Sequence, residues 1–441
     1  MKLLNLNQDI ISKFDQWMVS QYIIRKGFNE RFEPEIESEE NVLKEKKLEN
    51  NYLRGWLLIQ VFISCFAVRA LIMLMLPILP LKLQHPLVLK WAPIVCGDHI
   101  YTLGIPMRQM WFSLVFYYSI VCFALRIIFK QLDKENNLSF VTDFGFLNTK
   151  FASQKLSVSK EDVKILRNKA WFCYYVYYAF AVCIYSTVFG NLTISWFLQI
   201  HQTMSLIRAM TGLFWMIYHM YWLLIVVPIH CQVLFFLYMS CQVIGMRFDR
   251  FIEKCNARLT SNEGDKKVNI FKSVIECIRI LRDHDQTCFK VSEYNMQMKM
   301  MLWYIYHIFC PTAATACYVL FTGNFTNKLS FYLVLFMSIG QLFLIISYLF
   351  FSRTIAWYST SCFIRLFSIQ CRQGIEYPVK LQLMVKKRIK HLTNKKWPVA
   401  LTIGNNFPVT SHVCMEFMFN ILTFVIMMLE AIVNMDLKIT Q

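Results

Sequence analysis

Polar residues along this chain come in blocks, and between the blocks lie long apolar stretches. A helix needs about 20 apolar residues to cross a bilayer. Seven stretches reach that length: residues 56–80, 110–129, 171–190, 213–240, 301–322, 329–351 and 411–433. In hydrocarbon each backbone N–H and C=O must find its partner within the segment, so each stretch predicts a transmembrane helix. The fold class read from this pattern is an all-α membrane protein with seven transmembrane helices.

Composition agrees. Of 441 residues 56% are hydrophobic and only 17% charged, against roughly 25% charged in an average soluble domain. Lys and Arg set the orientation, because they collect on the cytoplasmic side. The segments 1–55, 126–170, 241–300 and 353–409 hold 39 of them, the alternate segments hold six, and Arg69 stands inside the first span. The N-terminus is therefore expected in the cytoplasm and the C-terminus outside. Residues 1–20 lack the apolar core and cleavage site of a signal peptide, so the first span is expected to act as the targeting signal. Two sequons, at Asn191 and Asn324, fall in segments placed outside by charge and are candidate glycosylation sites. The net charge of +18 reads as a cytoplasmic face beside anionic lipid, and no nucleic-acid motif accompanies it.

The polar blocks contain helical periods of their own. Ile244, Phe248, Phe251, Ile252, Cys255 and Leu259 share one face after the fourth span. Ile270, Phe271, Val274, Ile275, Ile278 and Leu281 recur at helical spacing before the fifth, with the polar turn Ser261 to Lys267 between the two sets. Leu381, Val385, Ile389 and Leu392 form a stripe opposite Lys386, Lys387, Arg388 and Lys390. Three such helices predict a cytosolic bundle, in which the last stripe is expected to bury itself between subunits; a helix lying on anionic lipid is the alternative. Trp397-Pro398 ends that helix, and Pro408 is expected in the first turn of the last span. The chain thus divides into a cytosolic region 1–55, spans one to four at 56–240, cytosolic extensions 241–300, spans five and six at 301–352, an anchor segment 353–410, a seventh span 411–433 and an extracellular tail 434–441.

Enzymatic patterns are sparse. The fifteen cysteines form no CxxC pair. Asp283, His284, Asp285 and Cys288 sit too close along one helix to converge on a metal, and read as a solvated face. His219 and His230 lie about three turns, or roughly 16 Å, apart, which suits polar packing between helices. No catalytic residue, metal site or cofactor is predicted, and the chain is not expected to be an enzyme.

Seven spans, an inner N-terminus and long cytosolic extensions of the fourth to seventh helices resemble the insect-type gustatory and odorant receptor superfamily of arthropods. Gustatory members carry TYxxxxxQF in the last helix. Thr423-Phe424-Val425-Ile426-Met427-Met428-Leu429-Glu430-Ala431 has that spacing, with Phe for Tyr, Glu for Gln and Ala for Phe. The resemblance implies a multi-pass chemoreceptor of the plasma membrane acting as a ligand-gated cation channel, a homo- or heterotetramer of related subunits with the seventh helix of each lining one pore. It also implies that the cytosolic helix ends form the main contact between subunits. An odorant-type subunit needing a co-receptor, a seven-span transporter and a G-protein-coupled receptor are the other readings; the last requires an outer N-terminus.

Two sites follow. The resemblance places a small organic ligand in the outer half of the bundle, where Trp111, Tyr117, Tyr185, Trp215, Tyr218, Tyr318, Tyr332 and Phe336 supply aromatic surface. Glu430 interrupts an apolar run, where a charge costs roughly 2.5 to 3.5 kcal/mol. It matches the position of the motif's Gln, and four copies would form an acidic ring that attracts permeating cations. Ile426 and Met427, one turn inward, would form the gate, with Thr423 a turn further. The outer membrane surface is the alternative setting for Glu430.

Overall fold

A computed structural model describes residues 39–75, 105–134, 144, 147, 152–203, 206–260, 270–322, 328–373, 379–392, 399–403, 407–410, 412–420, 422–423 and 426–427. The helices are α1 (Glu39–Met75), α2 (Ile105–Lys134), α3 (Ala152–Leu156), α4 (Lys160–Thr203), α5 (Leu206–Thr260), α6 (Ile270–Thr322), α7 (Lys328–Gln373) and α8 (Val379–Leu392). A two-stranded hairpin, β1 (Thr402–Ile403) and β2 (Phe407–Pro408), precedes a C-terminal helical segment that starts at 412. Among the described residues five helices are long and apolar enough to span a bilayer, within α1, α2, α4, α5 and α7. The apolar run 301–322 forms the last part of α6.

α5 is the central post. Within its apolar window 83% of residues are buried, against 11% in α4. It packs on α4, α6 and α7, while α1 packs on α2 and α2 on α6. The helices outrun their apolar runs: α4 begins well before 171 and continues past 190 through the segment read as an outer loop. Helix continues there because each added residue gains a backbone hydrogen bond once the helix is nucleated.

Polar contacts fix the ends at the basic side of the bundle. Ser159 and Asp162 form a reciprocal cap at the start of α4, the Asp162 amide donating to Ser159 Oγ and the Ser159 amide to Asp162 Oδ2, each at 3.0 Å. Ser157, at φ 52°, ends α3 in the left-handed region. Arg247 of α5 donates two hydrogen bonds to the Leu156 carbonyl at that helix end, and Arg250 pairs with Asp162 at 3.0 Å.

The extension of the fourth span past the apolar run is seen in α5, where Ile244, Phe248, Phe251 and Cys255 are buried. α6 differs from the expected stripe: Cys277, Ile280, Leu281 and His284 face inward, whereas Ile275 and Ile278 are exposed. The segment around His284 is also not a uniformly solvated face. His284 is 2% exposed and lies 5.0 Å from the Phe251 ring. Asp285 beside it is bound by Arg388 of α8. Partial burial works against that carboxylate, but hydrogen bonds from His284 and Arg388 outweigh it and hold its pKa below the usual range.

Leu381 and Val385 of α8 are buried against the same chain, 2% and 1% exposed, where α8 packs on α7 and α6. Their stripe is therefore used within the subunit and is not free for a contact between subunits. Pro408 also departs from expectation. It pairs with Thr402 in the hairpin, where an edge strand tolerates its missing donor. Thr410 starts the last helix instead, its Oγ1 accepting from the Val413 amide at 3.3 Å. Asn295 of α6 pins the hairpin, accepting from the Thr402 amide at 2.7 Å.

Gly245 of α5 lies against the Tyr358 ring of α7. A Cβ there would lie 2.6 Å from Cε2 of Tyr358, whose hydroxyl donates to Asp249. Alanine would gain up to about 1 kcal/mol of helix propensity, but overpacking costs about 1–3 kcal/mol. Gly245→Ala is expected to lower the melting temperature of the purified protein, and Tyr358→Leu in the same chain to restore most of it.

Candidate functional site

A cavity of about 260 Å³ lies between α2, α4, α5 and α7. Trp111, Leu114, Val115 and Tyr118 line it from α2, a spacing that puts all four on one helical face. α4 adds Tyr177 and Phe180, α5 adds Trp222 and His230, and α7 adds Phe336, Gly340 and Gln341. Nothing lies within 4 Å of where a Gly340 Cβ would be, so its missing side chain leaves open space in that wall.

One wall is polar. The Gln341 amide donates to the Tyr118 hydroxyl, and Thr312 Oγ1 of α6 donates to Gln341 Oε1 at 3.5 Å. The Tyr118 and His230 rings meet edge to face at 5.1 Å. His230 Nδ1 lies 2.8 Å from the Val226 carbonyl, which places the proton of the neutral ring on Nδ1 and makes Nε2 an acceptor. Tyr348 donates to the His230 carbonyl at 3.2 Å. The cavity thus offers mostly aromatic and aliphatic surface with a few convergent hydrogen-bonding groups, the usual makeup of a small-molecule site.

Trp111 joins this wall to a second cluster. Its indole Nε1 lies 3.4 Å from His219 Nε2, and since an indole N–H only donates, Nε2 accepts. The proton of neutral His219 is then on Nδ1, which lies 3.1 Å from the Trp215 carbonyl and 3.4 Å from Arg69. Nδ1 cannot also accept from Arg69, so we assign it to Trp215. The guanidinium, 4% exposed, sits 4.0 Å above the Trp215 ring and 5.4 Å from that of Phe112. The π faces help compensate a charge buried at this depth. Tyr218 stacks on Phe66 at 4.6 Å in the same cluster.

The eight aromatic residues expected from sequence to form the ligand site are therefore distributed. Trp111 and Phe336 line the cavity. Tyr185 lines a neighbouring one. Trp215 and Tyr218 pack around Arg69. Tyr117 lies against Phe116 at 5.6 Å, Tyr318 packs half-buried on the core, and Tyr332 is 62% exposed near the start of α7. Tyr118, Thr312 and Gln341 were missed by the sequence reading, although an amide inside an apolar run was a visible signal.

At the other candidate site, Thr423, Ile426 and Met427 are helical and exposed on the single chain. Glu430 and Asn324 lie outside the described residues. The last helix is docked at its start by Cys414, whose thiol donates to the Leu349 carbonyl at 3.6 Å, and by Phe417, 5.5 Å from Tyr306. Asn191 stands within α4, its amide donating to the Thr187 carbonyl at 2.6 Å. Among the described residues no three His, Cys, Asp or Glu side chains are grouped to hold a metal.

No family model and no curated protein matches the sequence. Solved structures do. The insect olfactory receptor OR5 from Machilis hrabei in complex with eugenol matches with TM-score 0.58 and 11% identity, over 95% of this chain and 98% of that one. A second structure of the same receptor matches with TM-score 0.55 and 10% identity, over 95% and 99%. The chain has the fold of an insect olfactory receptor, an all-α membrane fold.

Proposed function

We propose that this chain is a subunit of a chemosensory cation channel opened by a small organic ligand in the cavity between α2, α4, α5 and α7. The observation that carries the reading is the cavity itself, aromatic with one polar wall, inside the fold of a receptor solved with eugenol. Eugenol is a single-ring phenol, and a molecule of that kind suits about 260 Å³ and an amide-hydroxyl pair. The spacing around Thr423 and Glu430 favours the gustatory branch. The olfactory neighbours favour the second reading, an odorant-type subunit that works with a co-receptor. In both, the basic segments face the cytoplasm of a plasma-membrane protein.

Exposed residues further along the last helix support the pore. Leu422, Ile426 and Met427 are each more than half exposed on the single chain, as expected for a face completed by neighbouring subunits. Ile426→Ala is expected to raise current in the absence of agonist, and Glu430→Gln to lower the preference for divalent over monovalent cations. Patch recordings with neither change would remove the pore from this face.

The subunit contact moves from α8 to α6. Ile275, Ile278, Phe289 and Met296 recur at helical spacing, and Phe289 and Met296 are 72% and 66% exposed. Exposed apolar side chains on one face of a polar stretch of helix mark an interface. Ile278→Ser with Phe289→Ser is expected to convert tetramers to monomers on a native gel without lowering the melting temperature of the monomer; persistent tetramers would contradict this.

A further inference from the structure

A second hollow, of about 330 Å³, lies between α4 and α5 and shares Tyr177 and Cys231 with the wall of the first. Its floor holds Gln232. That side chain belongs to a residue only 2% exposed, and neither its Nε2 nor its Oε1 has a hydrogen-bond partner among the described residues. A primary amide buried without partners is costly, because both its donors and its acceptor have lost water. Pro228 stands one turn earlier in the same wall.

The rest of the wall is apolar and rich in aromatic rings, with Tyr174, Tyr178 and Tyr185 contributed by α4. The rim belongs to the outward face of that helix: Tyr178 is 60% exposed and Val182 43%. Among the described residues α4 is the least buried of the five helices long and apolar enough to span, so in an all-α membrane fold this face meets lipid and the hollow opens sideways into the bilayer. Its lining has no cationic or carboxylate side chain, which leaves a charged headgroup without a counter-charge. A hydroxyl suits Gln232 better than a carbonyl, since it can accept from the amide NH2 and donate to the amide oxygen at once.

We propose that this hollow is a second binding site, which takes from the bilayer an apolar molecule carrying one hydroxyl group and holds that hydroxyl on the Gln232 amide. The proposal is independent of the channel reading and of the first cavity's ligand. Two sources have this chemistry, a membrane sterol and a long-chain alcohol.

The test uses the full-length protein in phosphatidylcholine nanodiscs with three photoactivatable probes: cholesterol, its 3-O-methyl ether, and hexadecanol. At least one hydroxyl probe is expected to label peptides containing 174–185 or 228–235. If it is cholesterol, the methyl ether is expected to label at least fivefold less. Labelling by cholesterol alone assigns a sterol as the occupant, and by hexadecanol alone an alkyl alcohol. Gln232→Leu is expected to reduce the labelling at least fivefold, and to melt no lower than the wild type in sterol-free nanodiscs because it removes an unpaired amide. No labelling by either hydroxyl probe, equal labelling by cholesterol and its methyl ether, or undiminished labelling of a folded Gln232→Leu chain would overturn the proposal. The methyl-ether comparison is made on the wild-type chain, so for cholesterol it decides even if the variant fails to fold; for hexadecanol the second variant Gln232→Met takes that place.

Discussion

Gln341→Leu is expected to lower agonist potency about ten- to hundredfold while leaving the amount of protein at the cell surface unchanged. Gln341 and Tyr118 meet across the cavity, one on α7 and the other on α2, with Thr312 behind the amide. A ligand hydroxyl placed between aromatic walls finds its partners on this pair. Leucine removes the amide that a ligand hydroxyl would meet, and a ligand hydroxyl buried without that partner costs about 1–3 kcal/mol, where 1.4 kcal/mol is a factor of ten in affinity. Leucine is also at home in a spanning helix, so folding is not expected to suffer. Tyr118→Phe should shift the dose response in the same direction by less, because the amide remains. Tyr185→Phe, in the neighbouring hollow, should leave it unchanged. Dose-response curves for the three variants, normalised to surface biotinylation, check the assignment. An unchanged curve for both Gln341→Leu and Tyr118→Phe would move the ligand elsewhere.

Leu381→Ser with Val385→Ser is expected to abolish the folded subunit, not merely its assembly. Both side chains are almost fully buried inside one chain, and large-to-small changes at such sites cost about 1–5 kcal/mol each. Serine adds the burial of a hydroxyl. A loss of several kcal/mol is a large part of the about 5–15 kcal/mol typical of folded domains. Purified variant protein should melt far below the wild type or fail to reach the membrane. Folded monomers with a native melting temperature would instead return α8 to the subunit interface.

The all-α membrane class was legible because an apolar run of bilayer length is seldom anything but a spanning helix. Residues 56–75 of the first run and the runs at 110–129, 171–190, 213–240 and 329–351 lie in helices apolar enough to cross a membrane. The helix ends were less legible. Continuation of α4 past 190 depends on backbone hydrogen bonding that carries no hydropathy signal. Pro408 had two placements consistent with its missing donor, a first helical turn or an edge strand, and the Asn295 side chain that anchors the hairpin lies on α6. The rotation of α6 that leaves Ile278 and Phe289 outside was hidden because His284 and Thr287, both polar, occupy the buried face.

The site followed the same division. Aromatic residues are abundant in these spans, and sequence alone does not separate Trp111 and Phe336 in the cavity wall from Trp215 and Tyr218 around Arg69. The rarer signal was the lone polar side chain in an apolar run. Gln341, Thr312, His219, His230 and Gln232 are all buried, and they mark the cavity walls and the clusters between helices. His219 and His230 read as polar packing between helices; the His219 ring accepts from Trp111 of α2, whereas the His230 ring donates within α5 to the Val226 carbonyl.

The most direct test of the channel reading is a whole-cell recording from cells expressing this chain, alone and together with a related co-receptor subunit, while a panel of small phenols and other single-ring ligands is applied. The reading predicts an agonist-evoked inward current whose reversal potential shifts negative when external sodium is replaced by a large organic cation and stays fixed when chloride is replaced, and whose dose response moves with Gln341→Leu. An agonist that binds the purified protein but evokes no current under either condition, or a current whose reversal potential follows chloride, would contradict it.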